Sequence, residues 1–192
     1  MNLATKITIF RILLVPLFLI LILTDYILTR ILALLVFIFG GITDTLDGIV
    51  ARKKNMVTKI GSSLDPLADK LLITTAFISF LNFSELKIPV WTVIIIILRD
   101  YIITWLRSID SNYSMPADKT AKIKTFLQNI AIISIILILI FKNYISNLTI
   151  SWYIIELYPK MIMIFISFFT LASGVIYIIK YRNLIWEQFT KN

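Results

Sequence analysis

Six apolar segments, at roughly residues 5–24, 30–52, 63–82, 89–109, 120–141 and 152–180, constrain this chain more than any single residue does. Each is close to the ~20 helical residues needed to cross a hydrocarbon layer ~30 Å thick. In lipid the backbone polar groups must be satisfied within the segment, which makes such stretches helices. Hydrophobic residues make up 59% of the 192, more apolar surface than an aqueous core of this size could hide. The expected fold is therefore all-α: an integral membrane protein, one domain over residues 1–192, built as a bundle of six transmembrane helices. The first segment superficially resembles a secretory signal, but no small-residue cleavage site follows Leu23, and it is read as a retained helix.

Six crossings put both termini on one side, and the basic residues say which. Of the 19 Lys and Arg, only Arg30, Lys87, Lys142 and Lys160 fall on the opposite side. The excess places the termini and the loops 53–62 and 110–119 in the cytoplasm. A formal charge of +8 also raises nucleic-acid binding, but these cations flank membrane spans and no nucleic-acid partner is expected. The connections near Thr24–Tyr26, Asn82–Glu85 and 143–151 are weakly charged and read as simple turns.

The sequence has no cysteine and no histidine. That removes disulfides, thiol nucleophiles, the commonest general base and the commonest transition-metal ligand. Acid–base or metal chemistry must then rest on carboxylates. Asp44, Asp47, Asp65 and Asp69 fall within 26 residues at or near membrane depth, where ionisable groups are costly and point to function. Asp44 and Asp47 are three apart and Asp65 and Asp69 four apart, so each pair shares one face of its helix. The short loop between the helices makes them antiparallel neighbours, so all four acids can converge at the cytoplasmic ends. Left empty, the cluster would repel itself. Oxygen-only ligands select hard cations, here Mg²⁺ or Mn²⁺, as one ion or two, and Mg²⁺ commonly completes its shell with substrate phosphates.

Four of the five glycines, Gly40, Gly41, Gly48 and Gly61, cluster around these acids. Helix packing and room for a ligand against the backbone both explain them, and the neighbouring carboxylates favour the ligand. Gly48 and Ala51 continue the face of Asp44 and Asp47, leaving space for a diphosphate. Arg52 can meet phosphate oxygens with its bidentate fork. Lys53 and Lys54 are read as a positive stop at the lipid surface. Pro66 is expected at the start of the third helix, where a missing N–H costs little. Pro16 interrupts the first segment and is expected to kink it.

The run Asp44-Thr45-Leu46-Asp47-Gly48-Ile49-Val50-Ala51-Arg52, then eight residues, then Gly61-Ser62-Ser63-Leu64-Asp65-Pro66-Leu67-Ala68-Asp69 resembles the signature of the CDP-alcohol phosphatidyltransferase family at all eight defined positions. The resemblance implies a six-helix membrane enzyme, usually a homodimer, that moves a phosphatidyl group from a CDP-linked lipid to an alcohol and releases CMP. It implies that Asp44, Asp47, Asp65 and Asp69 hold the metals and that Asp69 also takes the proton of the acceptor hydroxyl. Gly48, Ala51, Arg52, Thr58 and Gly61 would line the nucleotide site.

The acceptor is read from the fourth and fifth segments. Arg99 and Arg107 lie on broadly one side of the fourth, with Asp100 beside them; Lys119, Lys122 and Lys124 open the fifth. Lys119 fits a snorkelling role. Lys122 and Lys124 lie nearly opposite each other, so one of them faces inward. Arg99, Arg107, Lys122 and Lys124 together suggest an acceptor carrying its own phosphate. With Asn2 through Thr8, Arg11 and the run Lys122–Gln128, they resemble the bacterial branch of the family that uses glycerol 3-phosphate. Three positions depart from that pattern: Ala4 stands for proline, Asp100 for glutamate and Ala121 for glycine. The expected substrates are CDP-diacylglycerol and glycerol 3-phosphate, among the lipids of the bacterial cytoplasmic membrane. The rivals are the same chemistry on inositol phosphate, serine or a phospholipid, and a divalent-cation transporter.

Overall fold

A computed structural model describes residues 3–54, 59–109, 119–145 and 153–190, with side chains described at 9–43, 70–106, 120–142 and 153–182. Among the described residues six long helices run in chain order: α1 (Leu3–Leu23), α2 (Ile27–Lys54), α3 (Lys59–Phe80), α4 (Val90–Ile109), α5 (Lys119–Ile145) and α6 (Tyr158–Thr190). No strand occurs among the described residues. The all-α expectation holds, and each helix coincides with one of the six apolar segments.

Boundaries follow local chemistry. Pro89 precedes α4, and its carbonyl accepts both the Thr92 N–H at 3.0 Å and the Thr92 hydroxyl at 2.7 Å. Pro159 lies in the first turn of α6, after a π-helical turn at Tyr153–Leu157. Pro16 is accommodated within a continuous α1. Pro66 corrects an expectation: α3 begins at Lys59, so the proline lies beyond the first turn and removes an interior helical bond instead of a spare one.

Large apolar side chains point outward all around the bundle, as at Leu13, Ile20, Leu35, Phe126, Phe168 and Ile179. A water-soluble surface of this size does not look like that. Among the described residues, Thr120–Lys142 and Tyr153–Arg182 are by themselves long and apolar enough to cross a membrane. The fold is that of an α-helical membrane protein. Its core is an aromatic and aliphatic cluster that includes Phe18, Phe37, Phe77, Phe80, Ile132 and Met163.

Packing divides the helices into two groups. Helix α1 lies against α2 and α3 more extensively than those two lie against each other, while α6 lies against α4 and α5. Gly40 explains part of the first group: a Cβ there would stand 2.6 Å from Leu72 Cδ2 and 4.0 Å from Leu14 Cδ1. The absent side chain is filled by a leucine from α3, so at Gly40 helix packing, not ligand space, is the reason for glycine. Among the described residues, nothing beyond its own helix backbone lies within 4 Å of the corresponding point at Gly41.

The expected outer connections are more than simple turns. Arg30 is buried, with Nη2 2.5 Å from Asp25 Oδ1, Nη1 donating to the Leu139 carbonyl at 2.8 Å and the guanidinium 5.5 Å from the Phe83 ring centre. Lys87 pairs with Glu156 at 2.6 Å and Lys142 with Glu85 at 2.7 Å. These contacts tie three inter-helix connections, α1–α2, α3–α4 and α5–α6, together at one end of the bundle.

Candidate active site

The carboxylate pattern lies on two helices. Asp44 and Asp47, with Gly48, Ala51 and Arg52, belong to the C-terminal half of α2; Gly61, Asp65 and Asp69 belong to the N-terminal half of α3. Their side chains lie outside the described set, and Thr58 lies outside the described residues altogether. Helix register locates them relative to what is described. Leu14, Gly40 and Leu72 meet where α1, α2 and α3 come together. One turn further toward the α2–α3 connection come Arg11 on α1, Asp44 on α2 and Asp69 on α3. Arg11 is 1% exposed and ranks first among the largest fully buried side chains. A guanidinium is not buried in a membrane bundle without anionic or carbonyl company, and α2 and α3 carry the acids at that level.

A second polar centre joins α3, α4, α5 and α6. Asp100 on α4 is its hub. Lys124 Nζ donates to Asp100 Oδ1 at 2.5 Å, Arg99 Nη1 donates to the same oxygen at 3.2 Å, and Gln128 Nε2 donates to Oδ2 at 3.2 Å. Lys70, the residue after Asp69, donates from Nζ to the Asp100 carbonyl at 3.0 Å, and the Thr104 hydroxyl donates to it at 2.7 Å. Arg99 also reaches α6, donating from Nη2 to Ser173 Oγ at 3.0 Å. Gly174 makes room for this: a Cβ there would stand 3.0 Å from Arg99 Cγ and 3.3 Å from Arg99 Nε. Arg99, Asp100, Lys124, Gln128 and Ser173 are all buried.

Of the sequence-predicted acceptor residues, Arg99 and Lys124 come together on Asp100. Lys122 is exposed, so Lys124 is the inward-facing member of the pair. The Arg107 side chain lies outside the described set. A shallow cleft between α3 and α4, lined by Lys70, Thr74, Phe77, Ile96 and Asp100, opens beside the hub.

Sequence reasoning missed Ser173, Gly174 and the hub role of Asp100. The signals were slight. Gly174 is the single glycine outside the 40–61 cluster, and Lys124 and Gln128 are four apart on one face of α5. Nothing local links either to Arg99 or Asp100.

The cationic centre on α3, α4 and α5 follows directly in sequence on the acidic stretch of α2 and α3, since Lys70 is the residue after Asp69. Residues 1–181 match the family model for CDP-alcohol phosphatidyltransferase. The chain belongs to that family. Among its relatives, the CDP-diacylglycerol–glycerol-3-phosphate 3-phosphatidyltransferase of Bacillus subtilis (strain 168) is 34% identical, the alignment covering 100% of this chain and 95% of the relative. The protein of the same name from Rickettsia bellii is 36% identical over 92% of this chain and 93% of its own. A probable phosphatidylglycerophosphate synthase of Mycobacterium tuberculosis (strain ATCC 25618 / H37Rv) is 36% identical over 68% of this chain and 64% of its own. Dependence on a divalent cation is general in the CDP-alcohol phosphatidyltransferase family. The donor set here fits such a cation: four carboxylates on two neighbouring stretches of sequence, with no thiolate or imidazole anywhere in the chain.

Proposed function

We propose that this CDP-alcohol phosphatidyltransferase transfers the phosphatidyl group of CDP-diacylglycerol to glycerol 3-phosphate, giving phosphatidylglycerol phosphate and CMP. The observation that carries the acceptor is the buried meeting of Arg99 and Lys124 on one carboxylate, in a chain whose relatives are named for that reaction. A phosphomonoester is the ligand class that a guanidinium and an ammonium at one place suit best.

In this reading Asp44, Asp47, Asp65 and Asp69 hold Mg²⁺ or Mn²⁺, one ion or two. When bound, the metal offsets charge on the diphosphate and on the departing CMP. Arg52 holds phosphate oxygens of the nucleotide, and the small Gly48, Ala51 and Gly61, with Thr58, leave room for it. Arg99 and Lys124, with Arg107, orient the acceptor by its phosphate. Asp69 takes the proton of the acceptor hydroxyl, whose oxygen forms a bond to the lipid-side phosphorus as the diphosphate bond to CMP breaks. Lys70 links this base to the acceptor centre along the chain.

The enzyme sits in the bacterial cytoplasmic membrane as a six-crossing, single-domain protein, with both termini cytoplasmic and two chains per molecule. Charge placement supports the orientation: Arg30, Lys87 and Lys142, three of the four cations assigned to the outer side, are each ion-paired with an acid there.

Purified protein in detergent–lipid micelles, given CDP-diacylglycerol and labelled glycerol 3-phosphate, should release CMP and label the lipid in a metal-dependent way. Label entering from inositol phosphate or serine in place of glycerol 3-phosphate would move the acceptor assignment. Mg²⁺ uptake into vesicles with no CMP formed would instead favour a transporter.

A further inference from the structure

Asp100 carries more contacts than the reaction described above asks of it. Both carboxylate oxygens are occupied, Oδ1 by Lys124 and Arg99 and Oδ2 by Gln128, and the side chain is 11% exposed. A carboxylate held in this way is unsuited to act as a base on a substrate hydroxyl. What it does instead is fix two long cationic side chains from different helices at one point. Free Lys and Arg side chains give up much rotamer freedom when a ligand immobilises them, and anchoring them beforehand removes that cost from binding. Arg99 is anchored a second time from α6, through Ser173.

We propose that Asp100 is a positioning residue for the acceptor: it holds Arg99 and Lys124 ready for the acceptor phosphate without itself touching substrate. The inference rests on the acceptor reading given above. It predicts an effect confined to one substrate. Losing the Asp100 charge loosens the cations that meet the acceptor and leaves the carboxylate centre on α2 and α3 intact.

Asp100→Asn isolates that charge. Gln128 Oε1 is buried without a hydrogen-bond partner among the described residues. If the Gln128 amide turns over, it can accept from the asparagine N–H₂ and keep α4 joined to α5. The test is steady-state kinetics of the purified full chain, varying CDP-diacylglycerol and glycerol 3-phosphate separately, for wild type, Asp100→Asn, Asp100→Glu and Ser173→Ala. The expected result for Asp100→Asn is a KM for glycerol 3-phosphate raised about tenfold or more, with kcat and the KM for CDP-diacylglycerol within about threefold of wild type. Asp100→Glu, which keeps the charge, should recover most of the loss. Ser173→Ala releases only Arg99 and should raise the same KM by roughly threefold, which keeps the test available if Asp100→Asn does not fold.

An unchanged KM for glycerol 3-phosphate in folded Asp100→Asn overturns the inference, as does an unchanged KM in Ser173→Ala when Asp100→Asn cannot be obtained folded. Equal increases in both KM values also overturn it, since that is the mark of a general packing role. Wild-type protein that turns over CDP-diacylglycerol only with another acceptor removes the acceptor reading and this inference together. Wild-type activity on glycerol 3-phosphate beside a wild-type-like Asp100→Asn removes the inference alone.

Discussion

Gly174 on α6 lies so close to Arg99 on α4 that a Cβ at position 174 would stand 3.0 Å from Arg99 Cγ. The guanidinium reaches Ser173 and Asp100 over a surface that has been cleared for it. Gly174→Ala shifts the arginine by a few tenths of an ångström, whereas Gly174→Val fills its path. The valine variant is expected to lose about tenfold in kcat/KM for glycerol 3-phosphate while keeping its affinity for CDP-diacylglycerol, and the alanine variant to lose about threefold or less. Two-substrate kinetics read both, and equal activity of the valine variant would show that Arg99 has another route.

Lys122 and Lys124 differ by two residues and by their surroundings, one exposed and the other buried against Asp100. Lys124→Ala leaves Asp100 without its nearest cation and is expected to reduce kcat/KM by about a hundredfold. Lys122→Ala should cost about threefold or less. Reversal of that order would place the acceptor on the opposite face of α5.

Asp69→Asn removes the proposed base but keeps the other three carboxylates. Turnover is expected to fall by about a thousandfold, a loss in the middle of the range for general base catalysis. Binding of CMP in the presence of Mg²⁺, measured by calorimetry, should change by only about threefold or less. An active Asp69→Asn would transfer the base role to another residue.

Gly40 and Gly41 separate packing from open space. A methyl group at Gly40 meets Leu72 Cδ2 at 2.6 Å, while at Gly41 it meets nothing within 4 Å among the described residues. Gly40→Ala is expected to destabilise the bundle by about 1–3 kcal/mol through overpacking, seen as a lower melting temperature in detergent. Gly41→Ala should melt within about 0.5 kcal/mol of wild type.

Chelation tests the donor set directly. EDTA should abolish CMP release, and Mg²⁺ or Mn²⁺ should restore it, as hard cations suited to an all-oxygen site. Zn²⁺ restoring activity more effectively than either would contradict the choice of ion made from the ligand chemistry.

The sequence by itself determined the parts that depend on local spacing. Six apolar runs became six helices, because backbone groups in lipid have to be satisfied within each run. Asp44, Asp47, Gly48, Ala51, Arg52, Gly61, Asp65 and Asp69 form a pattern legible at fixed intervals, and the family match agrees with it. Only the tertiary structure decided that Lys124 rather than Lys122 turns inward, that Ser173 and Gly174 on the last helix support Arg99, that Gly40 receives Leu72, and that the turns at one end of the bundle are stitched by Arg30, Lys87 and Lys142. The physical reason is rotational. A surface helix of a soluble protein has a polar face and an apolar face, and its sequence shows which side turns inward. These helices are apolar on nearly every side, so their rotation and their neighbours are fixed by side-chain fit and by a few buried polar contacts between residues far apart in the chain. Asp100 and Lys124 are separated by 24 positions and Arg99 and Ser173 by 74; only the packed bundle brings them together.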